Sequence, residues 1–192
     1  MQNQALSKEQ LFQLIIQEGV EAFNEYRRQT AYATLDLSGV DFTAKDLSGI
    51  NFSNVNLSGC TFDFAYLAEA SLIIADLSRS SLKEADLYMA NLEEAELVHC
   101  DLTKANFASA GMAEAVLTGS NATQASFQDA DLSGANLQKT TLNDTDFTGA
   151  ILNGADFRNA NAEWAIFDDV QTDERTQWGE NRPSFLKTEK SD

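Results

Sequence analysis

From Leu37 to Phe167 an apolar residue returns at every fifth position without insertion or slip. Of the 27 centres in that run, sixteen are Leu and eight are Phe, with Met112, Ala122 and Ala162 as exceptions. Five suits neither a helix, whose faces repeat near roughly 3.6 residues, nor a strand, whose faces repeat at two. Such an unbroken period marks a repeat architecture. The flanking registers are equally regular. Two residues before the centre Ala appears in sixteen of the 27 quintets, and Cys60, Cys100, Ser80, Ser120, Thr140 and Thr145 there are also small. One residue before it Asp, Asn, Ser and Thr dominate, and seven of the ten glycines fall two residues after it.

These registers predict a shape. A centre and the small residue two before it share one face of an extended segment. The next centre, five on, would point outward if that segment continued, so the chain has to turn within each quintet. Glycine at one register supplies the positive φ that some turns need. Asp, Asn, Ser and Thr at another bind the local backbone. A chain that turns the same way every five residues becomes a coil, and coils stack about 4.8 Å apart with their apolar sides against each other. The predicted fold class is an all-β solenoid, with residues 31–170 as its body. Ala122 fills its slot poorly, which predicts a void or a local narrowing there.

Both ends of such a body expose strand edges that need covers. Ser7 and Gln10 form a capping-box pair. Leu11, Phe12, Ile15, Ile16, Val20 and Phe23 then follow at helical spacing. The pattern predicts one amphipathic helix over 7–28, within an N-terminal capping segment 1–30. After Val170 the period stops. Residues 171–192, with Trp178, Pro183 and Phe185, read as a closing turn and a frayed tail.

The quintets Ala85-Asp86-Leu87, Ala130-Asp131-Leu132 and Ala135-Asn136-Leu137 resemble the A(D/N)LXX pattern of the pentapeptide-repeat family. The resemblance covers roughly residues 31–170. It implies a right-handed four-sided β-helix of four quintets per coil, here with an N-terminal α-helical cap. Nearly seven coils would make a rod roughly 32 Å long. On such a helix Cys60 and Cys100 lie two coils apart on one side, about 9.6 Å. That is beyond the reach of a disulfide, about 7 Å between Cα atoms, so two free buried thiols are expected. Some members of the family resemble duplex DNA, bind DNA gyrase and protect it from quinolones, usually as dimers through a C-terminal helix. No amphipathic helix is evident after Val170, and no loop interrupts the repeats.

The formal charge of −17 disfavours direct nucleic-acid binding and anionic membranes. The first residues lack a basic start and an h-region, and no apolar run approaches a transmembrane length. A cytoplasmic protein is expected. Catalysis needs convergent titratable groups in a pocket. The one histidine, His99, falls in an outward register, and the core leaves no room for a substrate. The aspartates Asp36, Asp46, Asp76 and Asp86 sit where the repeat wants a turn-stabilising side chain, without metal-ligand spacing. The chain reads as a non-enzyme that uses no metal or cofactor.

Two surface features remain. Residues 31–170 hold 21 acidic and 6 basic residues. Ten acids lie in the turn register, and the excess includes Asp63, Glu84, Glu93, Glu94, Glu114, Asp168 and Asp169. The second feature is apolar: Phe64, Tyr66, Ile73, Ile74, Tyr88 and Met89 occupy outward registers within about two coils. The reading is a protein-interaction scaffold that meets an unidentified protein, or a second copy of itself, around Ile73-Ile74. The alternative is an acidic DNA mimic that binds a DNA-processing enzyme, with gyrase the candidate the resemblance supplies.

Overall fold

The computed structural model describes residues 6–30 and 34–179. From Leu35 to Gln171 the chain winds as a right-handed, four-sided β-helix. Each coil takes twenty residues: Leu35 pairs in parallel with Val55, Asp41 with Thr61, and so on to Ile151 with Gln171. The four sides are named here by their first centres, Leu37, Phe42, Leu47 and Phe52, as sides one to four. Twenty-six of the 27 centres are buried, with Ala162 in the last coil half-buried.

The corner geometry explains the five-residue period. In each quintet the residue two after the centre has positive φ: seven glycines and twenty other residues, from Gly39 to Asp169. The amide three after the centre closes the turn, as in Lys45 N–H to Phe42 C=O at 3.1 Å. A positive φ at that third position is the signature of a type II turn. The Asp or Asn before the centre accepts from the amide two residues on, as Asp46 does from Ser48 at 3.1 Å and Asn56 from Ser58 at 3.0 Å. Where that bond is made it holds the corner from the side and leaves the backbone groups to the ladder between coils.

Inside, like residues stack on like. Phe107, Phe127, Phe147 and Phe167 form a column on side three with ring centroids 5.0–5.2 Å apart and planes within 7°. Ala122 is wholly buried between Leu102 and Leu142, and the ladder passes through it without interruption, with Ala122 N–H to Thr141 C=O at 2.8 Å. Cys60 and Cys100 are free, buried thiols. They belong to an internal column with Ser80, Ser120 and Thr140. Each side chain donates to the centre carbonyl of the preceding coil, Cys60 Sγ to Leu37 O at 3.1 Å and Ser80 Oγ to Leu57 O at 2.9 Å.

The N-terminal cover differs from the single helix expected over 7–28. Helix α1 (Lys8–Gln13) runs into a π-helical turn, Leu14–Glu18, which stops at Gly19, and α2 (Val20–Gln29) starts afresh. Gly19 has φ +89°, which only glycine adopts at ease. The break redirects the apolar stripe. Leu11, Ile15 and Phe23 are buried on the first coil, whereas Ile16, expected in the stripe, is 40% exposed. The Ser7–Gln10 capping box is present. Side chains of the cap replace a missing coil: Lys8 Nζ donates to Ser38 O at 2.8 Å and Arg27 to Ser53 O at 2.6 Å. Asn24 bridges Gly49 O and Asn51 N–H at 2.9 and 2.8 Å.

At the far end Gln177 pairs with Asp156, one residue late, after a turn at 173–176. Trp178 then stacks on Phe157 at 4.9 Å and meets Phe167 edge-on at 5.3 Å. Pro183 and Phe185, read from sequence as part of this closure, lie outside the described residues.

Candidate interaction surface

The apolar residues picked out in sequence do not form one cluster. Phe64 stands at the corner between sides two and three, Tyr66 and Tyr88 lie on side three, and Met89 stands at the corner between sides three and four. These four are 45–56% exposed and occupy two adjacent coils. Ile73 and Ile74 sit at the far end of side four, with Ile73 half-buried and Ile74 54% exposed. Ile74 has φ +57°, and the residue at every other corner likewise has a positive φ. It is the sole β-branched residue among the 27 corners, and the branch crowds the backbone in that conformation.

Sequence reasoning missed a second exposed pair. Trp164, 77% exposed, and Ile166, 44% exposed, lie in the last coil. They occupy the same columns as Phe64 and Tyr66, 100 residues later. Their registers, two after and one before a centre, are the outward ones already used to find Phe64 and Tyr66. A search extended along each column would have reached them.

Charge is divided between the sides. Side three with its trailing corner carries Asp46, Glu69, Asp86, Asp129, Asp146, Asp168 and Asp169, and side four carries Glu93, Glu94, Glu114 and Asp131. Lys45 is the lone base on these two sides between residues 36 and 169. The other five bases of the repeats are on sides one and two, where Lys83 pairs with Asp101 at 3.1 Å and Lys104 with Glu84 at 3.7 Å. Thus Asp63 and Glu84 stand beside lysines. Glu93, Glu94, Asp168 and Asp169 have no such lysine beside them, and Glu114 lies within electrostatic reach of Arg175. Glu93 and Glu94 lie one coil beyond Ile73 and Ile74, so acid borders the apolar pair.

A shallow polar groove runs along side one, lined by Ser38, Ser58 and Ser78 with Asp76, Arg79 and His99. The His99 ring reaches only the carbonyl of Gly119, at 3.4 Å. Among the described residues no group of His, Cys, Asp or Glu is placed to hold a metal ion, and no helix is long and apolar enough to cross a membrane.

Known sequence families agree with the geometry. The family described as "Pentapeptide repeats (8 copies)" matches residues 36–72 and 62–97, and "Pentapeptide repeat region" matches 90–167. The chain belongs to the pentapeptide-repeat family. Two trypsin-treated QnrB1 variants, described as a plasmid-mediated fluoroquinolone resistance protein, share this pentapeptide-repeat fold. They match at TM-scores of 0.52 and 0.53 and 19% identity, over 74% and 73% of this chain and 92% and 90% of theirs. HetL of Nostoc sp. strain PCC 7120, a pentapeptide-repeat protein involved in heterocyst differentiation regulation, matches at 23% identity. It covers 77% of this chain and 93% of its own, with a TM-score of 0.25. No curated protein matches the sequence.

Proposed function

We propose that this pentapeptide-repeat rod is a non-catalytic interaction protein of the cytoplasm, and that its contact face centres on Ile73-Ile74. The observation that carries this reading is Ile74. A β-branched residue at a corner of positive φ strains the fold, and its side chain is 54% exposed. None of the twenty-six other corners holds a β-branched residue, so folding does not ask for Ile there. A contact made through the side chain accounts for it.

The test is a pull-down from the source cell's lysate with the protein and its Ile73→Asp, Ile74→Asp variant, washed at low and high salt. Aspartate tolerates positive φ, so the variant should fold. A partner that survives high salt and is lost with the variant supports the reading. Equal capture by both baits ends it.

The second reading, an acidic DNA mimic acting on a DNA-processing enzyme such as gyrase, draws on the unneutralised carboxylates of sides three and four. The fold shared with QnrB1, a fluoroquinolone resistance protein, is consistent with it. The ladder from 35 to 171 has no looped insertion, and the tail that would carry a dimerising helix lies outside the described residues. Here the captured enzyme would ignore the Ile73-Ile74 variant and wash off with salt.

A further inference from the structure

We propose that side three, with its corner to side two, is a docking strip for a cationic amphipathic segment of a partner protein, gripped at two apolar anchors. This rests on the interaction reading above and adds the chemistry of the partner. One anchor is Phe64 and Tyr66, 52% and 56% exposed, and the other is Trp164 and Ile166, 77% and 44% exposed. Phe64 and Trp164 have nearly the same corner conformation, φ +60° and +62°, so both side chains leave the rod alike.

The two anchors are five coils apart in the same columns, about 24 Å at the sheet spacing. A straight helix of roughly sixteen residues covers that distance. Between the anchors the strip presents Glu84, Asp86, Asp144 and Asp146. The one base of the strip between the anchors, Lys104, stands in the column of Phe64 and Trp164 and is paired with Glu84 at 3.7 Å. An occupant therefore needs apolar groups at its ends and cations between them. A second copy of this chain would set acid against acid beside both anchors, and a nucleic acid or an anionic membrane would be repelled for the same reason.

The test uses the full chain and two synthetic sixteen-residue amphipathic helices, one of Lys and Leu and one of Glu and Leu. Affinity is read by fluorescence anisotropy at low and high salt. Two neutral double variants take residues of the kind other coils hold in the same columns: Phe64→Gln with Tyr66→Asn, and Trp164→Gln with Ile166→Asn. Val98→Thr on side one is the control. The Lys/Leu helix should bind, weaken with salt, and lose at least about fivefold with each double variant, as expected on truncating aromatic anchors. Val98→Thr should leave it unchanged. Absence of binding, equal binding of the Glu/Leu helix, or indifference to either double variant overturns the proposal. A lysate partner held through Ile73-Ile74 with the peptide arm failing would leave the interaction reading standing and remove this one. Peptide binding at both anchors without such a partner would do the reverse.

Discussion

Cys60, Ser80, Cys100, Ser120 and Thr140 form one column, and each gives its hydrogen to a carbonyl one coil down. The thiols therefore do the work of hydroxyls. Cys100→Ser should change stability little, because Ser80 and Ser120 already make this bond on either side. Cys100→Ala removes the donor and should cost about 1 kcal/mol in urea unfolding. Burial pushes the Cys60 thiol up to about 11 and the Cys100 thiol up to about 12. Neither is a thiolate at neutral pH, so a disulfide-exchange reagent should label them only at the rate of unfolding. Prompt labelling of the native protein would mean an open column. Ile74 offers the opposite case. Ile74→Asn relieves a branched side chain at positive φ and should raise stability by about 1 kcal/mol, read as a higher urea midpoint. A lower midpoint would show that Ile74 packs within its own chain. The small polar residues were visible in sequence, but their spacing of twenty, which reports four sides, becomes meaningful only once the coil length is known.

The N-terminal cap shows where reading by element stops. Apolar spacing from Leu11 to Phe23 correctly pointed to a helical cover. Gly19 could sit inside a helix at modest cost or end one, and nothing local decides between these. The choice is made by the first coil, whose edge carries groups that need partners at Ser38, Gly49, Asn51 and Ser53. The break at Gly19 lets α1 bring Lys8 to one stretch of that edge while α2 brings Asn24 and Arg27 to another. Asn24→Ala leaves the Asn51 amide and the Gly49 carbonyl without this partner, and should cost about 1–3 kcal/mol. Gln13→Ala, on the outer face, should stay within about 0.5 kcal/mol. If the two variants unfold at the same urea concentration, the Asn24 bridge contributes nothing and the cap holds by apolar contact alone.

At the scale of the whole rod, the carboxylates act in two ways that pH separates. Those in the turn register are held by donors. The Thr43 hydroxyl and amide hold the Asp41 carboxyl below its usual range, the Ser48 amide does so for Asp46, and the Arg158 guanidinium for Asp156. A carboxyl whose folded pKa lies below its unfolded one stabilises the fold only while ionised. That contribution is full above the unfolded value, about 3.9, and drains as pH falls through the folded value. Self-repulsion from the net charge of −17 works against the fold at neutral pH and is screened by salt. The thermal midpoint should therefore rise with salt at pH 7, stay nearly level down to about pH 5, and fall below about pH 4. Asn51 and Asn56 make the same turn bond without a charge, so Asp41→Asn with Asp46→Asn should keep the fold and flatten the acid limb. If the double variant loses stability as steeply as the parent between pH 4 and pH 2, Asp41 and Asp46 are not what acid attacks. The loss would then belong to the other held carboxylates, among them Asp156 beside Arg158 at 2.6 Å and, at the two ends, Asp36 at 3.4 Å from Lys8 and Asp173 at 2.7 Å from Arg175.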